Sequence, residues 1–257
     1  MSDKVSVITV NSNNKAGLEK TVKSVLSQSY LNIEYLIIDG NSSDGSVDTI
    51  KENAVKIDYW ISEKDKGVYD AMNKGINKST GDYLLFLNSG DYLVDENVIE
   101  KMIKYGENKD IIYGNVNYIF GEYIQPSEYP KTLTFDFFIF DTLPHPASLI
   151  RRNIFEKTGL YDISLPISAD WKLFITAIFK YKCTYKAVDV IFSNFFMDGM
   201  SCQPKIKAVV EGEKRKIYEE EFPELLNMIN AYRKMRFIES SRIVNLLRKL
   251  GFFKYLS

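Results

Sequence analysis

Residues 65–91 read DKGVYDAMNKGINKSTGDYLLFLNSGD, and most of the fold can be read outward from this run. Asp65-Lys66-Gly67 forms a charged turn. Val68, Met72 and Ile76 follow at helical spacing, so an amphipathic helix starts after the glycine and stops at Thr80-Gly81. Tyr83 to Leu87 is a short continuous apolar run, the pattern of a strand buried on both faces. It delivers Asn88-Ser89-Gly90-Asp91 at its carboxyl end. Ligands of open α/β sheets collect just outside the carboxyl ends of strands. A carboxylate placed there after a flexible glycine suits a hard metal ion and a phosphate ester, although the same four residues also compose an ordinary surface turn. A second carboxylate, Asp170, opens an apolar helix far downstream.

On the N-terminal side the same alternation repeats. Val5 to Val10 is a β-branched strand, and Leu18, Val22, Val25 and Leu26 mark a helix. Tyr35 to Ile38 is a strand ending in Asp39-Gly40. Asp44 is read as the cap of a helix carrying Val47 and Ile50, and Tyr59 to Ile61 as a third strand. Strands alternating with helices imply a mainly parallel sheet with right-handed crossovers. Beyond Asp91, Val98 to Ile103 make one more helix. Ile111 to Tyr113 and Val116 to Ile119 read as two strands joined by a tight Gly114-Asn115 turn. Residues 122–144, with prolines at 126, 130 and 144, read as irregular. Ala147 to Ile150 and Thr184 to Val188 read as strands, Asn153 to Lys157 and Trp171 to Lys180 as helices. The expected organisation is an α/β domain over residues 1–202 and a charged helical extension over residues 203–257.

Composition sets outer bounds. The 257 residues are 45% hydrophobic and 26% charged, an ordinary globular balance. A net charge of -1 gives no overall field for nucleic acid. Two cysteines, Cys183 and Cys202, form no metal-type spacing and read as reduced thiols in a cytoplasmic protein. The N-terminal MSDKVSVITV is a strand rather than a signal peptide, and no apolar run approaches the roughly 20 residues of a membrane span. The tail around Arg233, Lys234, Arg236, Arg242, Arg248, Lys249 and Lys254 mixes basic with apolar residues. It reads equally as a surface for an anionic membrane and as a helix packed on the domain or on a partner subunit. It allows a homodimer without requiring one.

Several residues invite a functional reading beside a plain one. Polar side chains at Thr9 to Asn14 can hold a nucleoside, but Asn14 alone reads as a helix cap. Asp39 stands where an acidic side chain often reads a ribose hydroxyl or a base N–H. The sequence carries neither a Gly-x-Gly-x-x-Gly fingerprint nor a P-loop. Asp170, at a helix start, is a cap or an ionised base favoured by the helix dipole. His145 is the single histidine, held between Pro144 and Pro146 in what reads as a rigid extended stretch.

The order of these segments is more specific than any one of them. VSVITVNSNN, SVLSQSY, NIEYLIIDGNSSDGS, ISEKDKGVYDAMNKGI and TGDYLLFLNSGD, followed by HPASLIRRNIFEKTGLYD and SADWKLF, resemble the inverting family 2 glycosyltransferases over residues 4–201. The resemblance implies the GT-A fold and transfer of a hexosyl or N-acetylhexosaminyl group from a nucleotide-diphospho-sugar, UDP-linked, to a glycan or lipid-linked oligosaccharide. It implies Mn2+ or Mg2+ as cofactor and a cytoplasmic protein, peripheral on the inner face of the membrane through its tail. Thr9, Asn11 and Asp39 would line the nucleoside pocket, with Asp65 and Lys66 approaching the nucleotide and Asn73 bracing their helix. Asn88, Ser89 and Asp91 occupy the place of the metal-binding Asp-x-Asp motif, with Asp91 as the metal ligand. Asp170 matches the general base, and His145 and Trp171 would border the sugar or acceptor. Residues 195–201 resemble a loop that folds over the diphosphate. This chain departs from the pattern at Asn88 and Gly90, where carboxylates often stand, and at Ala169, where an acidic neighbour is usual. A sugar nucleotidyltransferase is a weaker alternative, since its Gly-rich basic loop is missing. A non-catalytic nucleotide-sugar-binding protein is another, opposed by the retained Asp170.

Overall fold

The computed structural model describes residues 2–197 and 206–239. Four parallel strands form one half of the sheet: β1 (Val5–Asn11), β2 (Ile33–Asp39), β3 (Tyr59–Ser62) and β4 (Tyr83–Phe86). They lie in the order β3-β2-β1-β4, connected through the helices α1 (Lys15–Leu26), α2 (Ser46–Glu52) and α3 (Val68–Lys78). Every residue of β1 and β4 is buried, as strands covered on both faces must be.

Beyond β4 the sheet becomes mixed. The short strand β5 (Tyr92–Leu93) is followed by helix α4 (Val98–Tyr105) and by β6 (Ile111–Phe120), β7 (Tyr123–Ser127), β8 (Ser148–Arg151) and β9 (Tyr185–Phe196). The sheet order continues as β4-β8-β6-β9-β5, with β7 paired to β6. The remaining short helices are α5 (Phe135–Phe140), α6 (Ile154–Thr158) and α7 (Ala169–Ile175).

Three sequence expectations are corrected in this half. Gly114-Asn115 is no turn, because β6 runs straight through it. A Cβ on Gly114 would meet the Val190 carbonyl at 3.0 Å and Phe192 Cβ at 3.2 Å, so the glycine admits a close approach of β9, and the register shifts at that point. Residues 122–144 are not irregular throughout: they hold β7, where Pro126 is tolerated on an outer strand, and α5. β9 extends eight residues past Val188, so Phe195 and Phe196 belong to a strand.

The chain divides into two compact units, Met1–Val210 and Glu211–Ser257. In the second, α8 (Lys207–Glu221, which begins just before the division) and α9 (Leu226–Glu239) are joined by Arg233 and Glu211 at 2.6 Å. Arg233, one of the tail's cations, is therefore already paired. Arg242, Arg248, Lys249, Lys254, Cys202 and residues 198–201 lie outside the described residues. Cys183 is a buried free thiol. No helix among the described residues is long and apolar enough to cross a membrane.

One buried carboxylate fixes the amino ends of the central strands. Glu34 of β2 accepts from the Ser6 hydroxyl of β1 (2.5 Å), from the Thr80 amide (2.7 Å) and hydroxyl (2.6 Å), and from Lys4 Nζ (3.1 Å). Burial works against its ionisation, but these donors outweigh burial and bring its pKa from 4.5 down to about 2. A carboxyl with a depressed folded pKa stabilises the fold above the unfolded value. That contribution is lost as pH falls from about 4.5 through about 2. Glu34→Gln should therefore cost about 1–3 kcal/mol in urea unfolding at pH 7, and the gap from the parent should narrow steadily when the same titration is run between pH 4.5 and 2.5.

Candidate active site

The carboxyl end of β4 opens onto a cavity of about 730 Å3. One wall is the Asn88–Asp91 turn. It is held by α1, which presents its side chains beneath it. The Thr21 hydroxyl donates to the Asp91 carbonyl (2.7 Å) and accepts from the Gly90 amide (3.1 Å). Asn14 caps α1 through Gly17 (3.1 Å) while its Nδ2 donates to the Ser89 carbonyl (2.9 Å). The Ser89 amide in turn donates to the Val10 carbonyl at the end of β1 (3.0 Å). Gly90 has φ +109°, a conformation that disfavours a side chain. The turn is thus tied at both ends, and Asp91 is directed inward. Its side chain is 5% exposed, and Oδ1 accepts from the Phe196 amide (3.2 Å). Asn88 Oδ1 is buried and has no hydrogen-bond partner.

The opposite wall carries Asp170, in the first turn of α7. Its Oδ1 accepts from the Trp171 amide (2.8 Å) and from the Tyr69 hydroxyl (2.9 Å). That hydroxyl also lies 2.6 Å from the Ile167 carbonyl. Burial, and then the Asp170 charge, push the Tyr69 phenol well above its ordinary range, so it remains a donor. Asp170 lines the cavity, and its Oδ2 makes no hydrogen bond within the described protein. Asn73 exchanges two hydrogen bonds with the backbone of Tyr161 (2.8 and 2.9 Å), locking α3 against the loop before α7.

Other expected site residues take different places. His145 lines the cavity but is 9% exposed, stacked on Phe86 at 5.0 Å, with Nε2 2.7 Å from the Tyr161 hydroxyl. Burial lowers its pKa against the opposing pull of Asp170, so the imidazole is neutral. It sits in a 3₁₀ turn, His145–Ala147, and not in an extended stretch. Trp171 does not border the cavity: its indole is 2% exposed, and Nε1 lies 2.8 Å from the Phe138 carbonyl and 3.1 Å from that of Asp141. Thr9 is fully buried with its hydroxyl on Tyr35 (3.2 Å), so its side chain is committed to the core.

Asp39 is likewise fully buried. Burial opposes its charge, yet the Ser42 hydroxyl and amide, the Ser62 hydroxyl and Asn11 Nδ2 together hold its pKa below the ordinary value. These bonds occupy the carboxylate. It orients Asn11, whose own Oδ1 is buried and unpartnered. Asp65 reaches the same strand end, since a Cβ on Gly40 would stand 2.7 Å from Asp65 Oδ2. Lys66 is exposed beside it.

Tyr69 and Thr21 had not been singled out in the sequence. Thr21 left a signal, a polar residue in the apolar stripe of Leu18, Val22 and Val25. Tyr69 left none, because an aromatic residue at helical spacing reads as core.

A family model described as glycosyl transferase family 2 matches residues 6–159. An uncharacterized glycosyltransferase of Mycobacterium tuberculosis is 33% identical over 178 residues, which cover 67% of this chain and 68% of that protein. A PGL/p-HBAD biosynthesis glycosyltransferase of the same organism is 29% identical, covering 65% and 66%. Among solved structures, the first 349 residues of S. aureus TarS in complex with UDP-GlcNAc match with a TM-score of 0.65 at 15% identity, over 84% of this chain and 66% of that one. A longer TarS chain is covered over 43% of its length. The mannosyltransferase PcManGT from Pyrobaculum calidifontis, in complex with GDP-Man and Mn2+, matches with a TM-score of 0.59 at 13% identity, over 98% and 80%. At these identities the solved structures establish the fold alone.

Thr21→Val keeps the shape of the side chain but removes the donor to the Asp91 carbonyl and the acceptor of the Gly90 amide. The expected cost is about 1–3 kcal/mol, read as a drop in midpoint in thermal or urea unfolding. An unchanged midpoint would mean that the turn does not depend on this hydroxyl.

Proposed function

This chain belongs to glycosyl transferase family 2, has the GT-A fold and is a glycosyltransferase, and we propose that it moves a sugar from a UDP-linked donor to a hydroxyl of a glycan or lipid-linked oligosaccharide, with inversion. The observation that carries this reading is the pair of carboxylates facing one cavity, held in opposite ways. Asp91 is buried and directed inward from a tied turn. Asp170 has one oxygen fixed by two donors and the other free. Asp170 takes the proton of the acceptor hydroxyl through Oδ2 as that oxygen attacks the anomeric carbon. The C–O bond to the acceptor forms as the bond to the diphosphate breaks, in one displacement. Of the two carboxylates among the described lining residues, this reading assigns Asp170 as the base and Asp91 to the metal and diphosphate, so it names no nucleophile.

The turn also suits a hard cation. Asp91 and the unpartnered Asn88 Oδ1 are oxygen donors, the type Mn2+ and Mg2+ prefer. No cluster of three or more metal-type side chains exists among the described residues, so donor phosphates would complete the ligand set. Bound there, the ion neutralises charge developing on the leaving diphosphate. Asn11, oriented by Asp39, serves the nucleoside together with Asp65 and Lys66. Tyr118 and Tyr129, hydroxyl to hydroxyl at 2.6 Å, and Phe195 give the cavity an aromatic side. Such rings suit the apolar faces of sugars. Neighbours that share the fold are solved with UDP-GlcNAc and with GDP-Man, the UDP-linked donor is the one the sequence resemblance implies, and the basic tail agrees with an acceptor at a membrane face.

Calorimetry with a panel of UDP-, GDP- and dTDP-sugars, with and without Mn2+, tests the donor. One UDP-sugar should bind in a metal-dependent way, and Asp91→Ala should weaken that binding. With that donor, Asp170→Asn should lower transfer by about 10²–10⁴-fold while leaving donor affinity intact, because Asn keeps the oxygen that Trp171 and Tyr69 address. Turnover preserved in Asp170→Asn would remove Asp170 as the base.

A further inference from the structure

The charges lining the cavity do not favour the proposed donor. Asp91 and Asp170 are carboxylates, His145 is neutral, and the one cation among the described lining residues is Lys20. Among the described lining residues, a diphosphate entering beside Asp91 therefore finds one cation to assist it, Lys20.

Lys20 is placed for that task. It projects from α1 on the face of Ala16 and Gly17, which also line the cavity. Its ammonium lies 5.0 Å from the centroid of the Phe196 ring, and among the described residues it meets no carboxylate. Two of its neighbours touch the Asp91 turn. The Phe196 amide donates to Asp91 Oδ1, and Thr21, the next residue along α1, holds the Asp91 carbonyl. A ring face locates an ammonium without neutralising it, so the full charge stays available. A lysine ammonium is a compact charge with three donors, well suited to phosphate oxygens.

We infer that Lys20 binds the diphosphate of the donor, supplying from α1 a positive charge at the turn that retains a single carboxylate. This rests on the reading of the donor as a nucleoside-diphosphate sugar. Phosphate oxygens accept hydrogen bonds from the ammonium in the ground state. They accept stronger ones as the sugar departs and negative charge collects on the leaving group. Lys20 is thus a phosphate-binding residue acting alongside any bound metal, and its share grows when metal is withheld.

The test is calorimetric binding of UDP and of uridine to the full chain and to Lys20→Ala and Lys20→Arg, in Mn2+ and in EDTA. Lys20→Ala should lose about tenfold in UDP affinity, more in EDTA than in Mn2+. Its affinity for uridine and its melting temperature should match the parent. Lys20→Arg should recover most of the loss, and added salt should shrink the difference. UDP binding unchanged in Lys20→Ala overturns the assignment while leaving the donor reading intact. So does an equal loss of UDP and uridine. If the parent itself binds none of UDP, GDP and dTDP, the nucleotide-donor reading falls, and this inference falls with it.

Discussion

One hydroxyl carries much of the architecture around the cavity. Thr21 is buried in the apolar face of α1, and its single oxygen serves both the Gly90 amide and the Asp91 carbonyl. A buried backbone amide or carbonyl left without a partner is costly, so the turn and the helix can only dock in one register. The placement of the Asp91 turn over α1, and with it that of Lys20 beside Phe196, follows from that register. The parallel strands bring α1 and the turn to the same edge of the sheet, and this side chain converts proximity into fixed geometry.

The first half of the fold was legible because its strands are buried on both faces. Short runs such as Val5 to Val10, rich in β-branched residues, and Tyr83 to Leu87, apolar throughout, are too short for helices and are bounded by turn residues, and the helices between them keep a clear stripe. The second half was harder for reasons specific to each element. Gly114 reads as a turn residue, whereas here its lack of a side chain lets β9 pass close to β6. Pro126 reads as a strand breaker, yet it sits in an outer strand. The end of β9 carries Ser193 and Asn194, polar residues that break the apolar pattern. They are buried, and Asn194 is matched by Asn117 at 2.9 Å across the pair. Helix α5 is six residues long, four of them Phe, and therefore shows no amphipathic period.

Parts of the site were legible to the same degree. Asp91 and Asp170 could be found because each follows an apolar run or opens an apolar helix, and the structure brings both to one cavity. Thr9, Asp39 and Trp171 are adjacent to the cavity in sequence terms but spend their polar atoms inside the protein. Spacing indicates which strand end a residue occupies. It does not reveal whether a side chain's hydrogen bonds are already taken. Asp39 illustrates the difference: four donors saturate it, and its effect passes to Asn11, which keeps an acceptor free.

The hydroxyl of Tyr69 stands between two oxygens, 2.6 Å from the Ile167 carbonyl and 2.9 Å from Asp170. It has one hydrogen and a choice of where to point it. When Asp170 is charged, the carboxylate is the stronger attractor. When Asp170 is neutral, the carbonyl takes over by a rotation about a single bond, with no heavy atom displaced. A proton taken up at Asp170, as the proposed base role requires, would therefore leave no buried donor stranded.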